Sequence, residues 1–298
     1  RIMNYLGESF AFVTALSWVG SSILYEHATK KISGAALNLL KLFFSLLLVF
    51  FMSTYVQGNS VLFHIEAKSR IFLTISGIIG LFIGDYFLFR AYNLIGARVT
   101  LIFGTLTPII VSLLGFLFLN ESLNMNQLFA IAIICVGIAL VVIKNDSSRK
   151  DSEKPKLCTK GLVYGIIAIL MDSLGIVFTK IGSQGYDPYS VTETRIIPAF
   201  ICFIIYITLR GEWSVVKEAI FNKKVLFAIF CATIISTVGI CTLILAMKHT
   251  KIGIVSTISS TSPILILPIS YFFFKEKITM RDTIGAFLSC IGVSLLFI

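Results

Sequence analysis

Lys41, Asp85, Arg90, Asp172, Glu193 and Arg195 fall inside long apolar runs of this 298-residue chain. A charge at the midplane of a bilayer costs at least about 2.5–3.5 kcal/mol unless it faces a partner or water. Charges kept at that cost are candidates for holding a substrate. Lys41 lies about a third of the way along the second apolar run, and adding 154 reaches Arg195 at the matching point of the seventh. Two cations so related would face a common cavity from opposite sides and could hold a carboxylate or phosphate. The bland alternative is that each snorkels to a nearby helix end. The carboxylates Asp85, Asp172 and Glu193 could carry a coupling proton, because their protonation responds to burial and to neighbouring cations. Alternatively they form structural ion pairs, Asp85 with Arg90 or Glu193 with Lys41, although five helical residues set Asp85 and Arg90 roughly 140° apart.

Subtracting 154 from Asp172 gives Trp18, which sets an acid opposite an aromatic that could stack on an aromatic or cationic substrate. Its alternative roles are packing and interfacial anchoring. Tyr25, Tyr86, Tyr92 and Tyr164 could supply cavity hydroxyls, though tyrosine is common at membrane interfaces. Thr107-Pro108 and Ser262-Pro263 place a proline within a span, where the missing amide donor invites a hinge or a polar cavity wall, so Thr107 and Ser262 join the candidates. Glu121 and Glu276 fall at helix–loop junctions and read as caps rather than substrate contacts.

The elements that must carry these residues are membrane helices. Hydrophobic residues make up 57% of the chain and charged residues 13%, with a mean hydropathy of +0.94. About 20 apolar residues cross a hydrocarbon core as a helix, and such runs occur near 6–26, 34–56, 71–93, 97–119, 125–143, 161–182, 188–210, 225–247, 252–274 and 280–298. The runs are continuous rather than alternating, which excludes barrel strands. Backbone amides in lipid must then be satisfied within each segment. From Gly84 onward an offset of 155, one more than that relating positions 18 and 41 to their mates, superimposes the halves: Gly84 falls on Gly239, Pro108 on Pro263, Glu121 on Glu276 and Gly137 on Gly292. Five spans per unit invert the second copy. The expected fold is an all-α membrane protein of ten transmembrane helices arranged as two inverted five-helix repeats. Its parts are residues 1–143, a polar linker over 144–160, and 161–298.

Cys135, Cys202, Cys231, Cys241 and Cys290 lie inside spans and only Cys158 in a loop, so they read as small packing residues rather than a disulfide framework or metal site. His27, His64 and His249 are the only histidines, and no acid-rich motif accompanies them. No cofactor or metal is therefore expected, and an integral-membrane transferase is the weakest reading. The net charge of +10 sits in the linker and other loops, which argues for membrane orientation and no nucleic acid. The loop count of Lys and Arg places both termini outside the cytoplasm.

The third and fourth runs read Gly84-Asp85-Tyr86-Phe87-Leu88-Phe89-Arg90-Ala91-Tyr92-Asn93-Leu94-Ile95-Gly96-Ala97, then Thr107-Pro108, then Leu119-Asn120-Glu121, and the second half repeats the later elements as Ser262-Pro263 and Lys275-Glu276-Lys277. On these residues the chain resembles the ten-helix EamA-like members of the drug/metabolite transporter superfamily. The resemblance implies a central cavity lined mainly by the early helices of each half, working by alternating access, and termini facing the cytoplasm, opposite to the loop count. The expected function is a proton-linked or exchange-type secondary carrier of a small metabolite, an amino acid or related compound, in the cell (inner) membrane. The alternative is efflux of cationic drugs. The expected substrate contacts are Lys41, Arg195, Trp18, Asp172, Asp85, Arg90, Glu193, Tyr92, Thr107 and Ser262.

Overall fold

The computed structural model describes residues 5–29, 31–57, 65–91, 94, 106–142, 159–262, 264–265 and 280–296. They form helices α1 (Leu6–Thr29), α2 (Gly34–Gln57), α3 (Ala67–Ala91), α4 (Thr107–Leu119), α5 (Met125–Val142), α6 (Thr159–Gly182), α7 (Pro188–Arg210), α8 (Trp213–Phe221), α9 (Lys223–His249), α10 (Ile252–Ser259) and α11 (Met280–Leu296). Among the described residues, α2, α3, α6, α7 and α9 are long and apolar enough to cross a membrane. The protein is an all-α integral membrane protein. Linker residues 144–158, Cys158 among them, and Tyr92, Pro263, Glu276 and His64 lie outside the described set, as does the side chain of His27.

Local chemistry sets the helix ends. Asp187 caps α7, its carboxylate accepting from the amides of Tyr189 and Ser190 at 2.9 and 3.0 Å, with Pro188 in the first turn, where no amide donor is needed. Gly211 ends the same helix in the left-handed conformation, and Asn120 does so for α4. Pro108 also sits in a first turn, that of α4, rather than at mid-helix. The short α8 lay unnoticed between two expected spans. It tucks Val216 and Ala219 into the core, and its Trp213 indole donates to the Thr208 hydroxyl at 3.1 Å.

The orientation of the halves is legible in the register of their contacts. Along α1, Gly7 meets Thr250, the Thr14 hydroxyl meets the Gly239 carbonyl at 3.3 Å and Thr242 at 2.9 Å, and the Tyr25 hydroxyl meets Ser236 at 3.0 Å. As α1 ascends, α9 descends. The same holds for α3 on α6, where Phe72 faces Phe178, Ser76 faces Thr179 and Gly84 faces Asp172. First and third spans of one unit run the same way, so an antiparallel α1 and α9 require the second unit to be upside down. Self-facing contacts complete the pattern. On α5 and α11, Gly137 packs on Ser289 while Gly292 packs on Ile134, and the Ser289 hydroxyl donates to the Ile134 carbonyl at 3.5 Å. α2 against α7 and α4 against α10 are the other mutual pairs.

Small residues let these helices approach, since between lipid-bathed helices the gain comes from close packing and hydrogen bonds rather than from expelled water. Large side chains such as Phe51, Leu117, Phe129, Leu209 and Phe287 are exposed outward, where hydrocarbon would meet them. Hydroxyls of Thr14, Ser45, Ser76, Thr179, Thr233 and Thr257 are buried inside.

Candidate functional site

Lys41 is the eighth residue of α2 and Arg195 the eighth of α7, each about 10 Å along its helix from opposite faces of the bundle. The two cations therefore flank the middle of the molecule. Lys41 Nζ donates to Asp85 Oδ2 at 3.0 Å, joining α2 to α3. Arg195 Nε donates to the Ser76 hydroxyl at 3.0 Å, joining α7 to α3, and Ser76 in turn donates to the Gly175 carbonyl of α6 at 2.7 Å and shares a hydrogen bond with Thr179 at 2.6 Å. Asp172 stands between them on α6 and lies in the field of Asp85, Arg195 and Lys41. Its side chain is exposed although it is at mid-helix with these charged neighbours around it. Tyr25 approaches Lys41 and hydrogen-bonds Thr233 and Ser236 of α9. The result is two cations and two acids drawn from α2, α3, α6 and α7.

The helix that delivers Asp85 and Ser76 is not uniform. From Gly77 to Gly84 α3 widens into a π-helical segment, a local distortion found mostly as short insertions and often at functional sites. Its glycines are the reason it can sit where it does. A Cβ on Gly77 would stand 2.0 Å from the Arg195 carbonyl, and one on Gly84 would touch the Asp172 amide at 3.5 Å. The π-helical segment is thus pressed against the backbone of both residues. The spacing Gly77, Gly80, Gly84 was the available signal. Ser76 and Thr179 were missed outright, because one serine among many carries no mark of what it faces.

The remaining expected residues disperse. Arg90 does not pair with Asp85. Its guanidinium lies 4.6 Å above the Tyr86 ring with Tyr206 and Tyr164 beside it, because the 140° between positions 85 and 90 turns the two side chains toward different neighbours. Nor does Glu193 meet Lys41, which Asp85 occupies. Glu193 is buried, 2% exposed, and its Oε2 has no hydrogen-bond partner among the described residues. Trp18 packs on Gly239 and on the apolar core, the symmetry mate of Asp172 packing on Gly84. Ser262 donates to the Ala15 carbonyl at 3.2 Å and the Ser259 carbonyl at 2.9 Å, which ties α10 to α1. Thr107 is buried at the start of α4. Tyr92 lies outside the described residues.

A cavity of about 790 Å³ opens at the face where α1 begins, lined by Glu8, Lys180, Lys248, His249 and Lys251 among others. Its walls are laced together. Glu121 ion-pairs with Lys180 and accepts from the Ile252 amide at 2.9 Å, as its reading as a cap implies. Lys180 donates to the Thr250 carbonyl at 3.0 Å and Thr250 to Glu8 at 3.1 Å. This lattice connects α1, α4, α6, α9 and α10 at one end of the bundle.

Comparison with known proteins agrees with the duplicated architecture. The EamA-like transporter family matches residues 5–143 and again 159–298. An uncharacterized transporter of Archaeoglobus fulgidus is 23% identical over 288 residues, 97% of this chain and 96% of that protein. An uncharacterized protein of Methanocaldococcus jannaschii is 25% identical over 137 residues, which is 46% of this chain and 96% of the relative. Another uncharacterized transporter, YxxF of Bacillus subtilis, is 26% identical over 152 residues, 48% of this chain and 47% of that protein. A protein crystal structure aligns with a TM-score of 0.71 at 15% identity over 97% of this chain and 96% of its own, which speaks for the fold alone. A membrane transporter, rather than an enzyme, is what these likenesses and the helical bundle describe. The chain belongs to the EamA-like transporter family.

Proposed function

We propose that this protein is a secondary carrier that moves a small zwitterionic metabolite, an amino acid or related compound, by alternating access across the cell (inner) membrane, in the direction of export. The observation that carries the reading is the convergence of Lys41, Asp85, Asp172 and Arg195 from four helices around an exposed Asp172 inside the bundle. A site with both signs of charge suits a ligand that bears both, whereas a purely anionic pocket would suit a cationic drug. The antiparallel register of the two halves supports alternating access, since inverted repeats can exchange conformations about a fixed central site. Asp85 and Asp172 are the candidate carriers of a coupling proton, and Trp18, Glu193, Tyr92, Thr107 and Ser262 the candidate secondary contacts.

The test is counterflow in proteoliposomes with a radiolabelled amino-acid mixture, then with single amino acids. Saturable uptake that Lys41→Ala and Arg195→Ala each abolish is expected. Full uptake by both variants would refute the assignment of the site. A second reading, efflux of organic cations, is favoured by the exposed carboxylate of Asp172 alone. Transport of a quaternary amine that survives loss of both cations and fails in Asp172→Asn would select it.

A further inference from the structure

Asn38 precedes Lys41 by one helical turn on α2. It is fully buried, 0% exposed, and both polar atoms of its side chain have no hydrogen-bond partner among the described residues. Such an amide is costly to bury, and an apolar residue of the same shape would fit at less cost. Asn38 borders a cavity of about 190 Å³ between α2, α3 and α7, together with Ser33, Tyr86, Arg90, Tyr206 and Glu212. At a liquid share of about 30 Å³ per water, that space holds roughly six waters or one small organic ion.

Arg90 gives the cavity its character. Its guanidinium stacks at 4.6 Å on Tyr86, and the Tyr206 ring meets Tyr86 edge-on at 5.2 Å. The guanidinium carries five N–H donors in a planar fork that matches a carboxylate or phosphate, and its hydrogen bonds to the Tyr206 and Tyr164 hydroxyls leave donors over. Glu212, the acid on the rim, is engaged by Arg210 at 3.6 Å. The cavity thus offers a cation held in place by tyrosine hydroxyls and an amide without a partner. It lies one turn nearer the end of the bundle than Lys41 and Asp85.

We propose that this cavity is a second binding site, separate from the central charge cluster, for a small carboxylate or phosphate anion held by Arg90 and Asn38. The anion has two conceivable sources, the aqueous phase or the head group of an anionic lipid, and one experiment separates them. Purified protein in phosphatidylcholine nanodiscs is titrated calorimetrically with benzoate and with inorganic phosphate. Saturable binding of either, weakened at least ten-fold in Arg90→Gln and in Asn38→Leu, supports the site with a soluble ligand. If neither binds but native mass spectrometry of protein from phosphatidylglycerol discs retains one more such lipid on the wild type than on each variant, the site stands with a lipid as its ligand. Asn38→Leu should also raise the unfolding temperature of the unliganded protein, because it removes an amide without a partner. It carries the test alone if Arg90→Gln does not fold. Absence of both binding and a lipid difference overturns the proposal, as does a lowered unfolding temperature in Asn38→Leu, which would show that the amide is already satisfied.

Discussion

Two alanine substitutions three residues apart on α3 should move stability in opposite directions. A Cβ at Gly77 would lie 2.0 Å from the Arg195 carbonyl, whereas one at Gly80 meets only the Gly175 Cα, at 3.5 Å. The first distance is far inside van der Waals contact, so the π-helical segment or α7 must retreat by about 1.4 Å to restore an ordinary separation, and inserting atoms into packed interiors costs about 1–3 kcal/mol. Replacing glycine by alanine where the backbone allows it gains about 0.4–1 kcal/mol through the unfolded chain. Gly77→Ala is therefore expected to lose about 1–2 kcal/mol net and Gly80→Ala to gain a few tenths or more. At about 2 °C per kcal/mol for a chain of this size, the two variants should differ in apparent unfolding temperature by roughly 3–6 °C. Intrinsic fluorescence of Trp18 and Trp213 during heating in detergent reads the difference. A Gly77→Ala protein at least as stable as Gly80→Ala would show that α3 and α7 are not in contact there, and the placement of Arg195 would fall with it.

Other expectations rest on single interactions. Lys41→Met and Asp85→Asn should each lower stability by about 3 kcal/mol because the surviving charge loses its partner, and the double variant should recover much of that loss; strict additivity in the thermal data would deny the pair. Glu121→Ala should cost about 2 kcal/mol, since it strips both the Lys180 ammonium and the Ile252 amide of an acceptor, and an unchanged chemical denaturation midpoint would mean that water replaces it without loss. Ser76→Ala removes the acceptor of Arg195 Nε and should raise the half-saturation concentration for transport more than it lowers the maximal rate. The opposite split would assign Ser76 to helix packing alone.

Most spans were readable in the sequence because hydropathy is a local property: α1, α2, α3, α5, α6, α7, α9 and α11 begin and end within a few residues of those expected, whereas of the fourth and ninth expected spans the described helices cover only Thr107–Leu119 and Ile252–Ser259. The repeat was readable for the same reason: Gly84 and Gly239, or Gly137 and Gly292, are identical residues at a constant offset, and each pair proved to mark equivalent helix crossings. The cations at 41 and 195 were legible as charges in the wrong solvent. Their partners were not. Hydropathy locates a buried charge without saying which way it points, so Asp85 went to Arg90 on grounds of proximity in the chain, while the fold gave it to Lys41. The π-helical widening of α3 escaped because it depends on how α7 presses on Gly77 and α6 on Gly80 and Gly84. The short α8 escaped because nine residues are too few to cross a bilayer.

The M. jannaschii relative matches this chain over 137 residues, about the length of one unit. Two separate identical subunits packed in this inverted arrangement would be forced to present the same side chain at both equivalent positions. Tethering the copies in one polypeptide lifts that restriction, and the chain has used the freedom: lysine at 41 answers arginine at 195, and tryptophan at 18 answers aspartate at 172. The two halves are consequently unlike at matching depths, and under the proposed function a substrate with a head and a tail has one preferred way to lie between them.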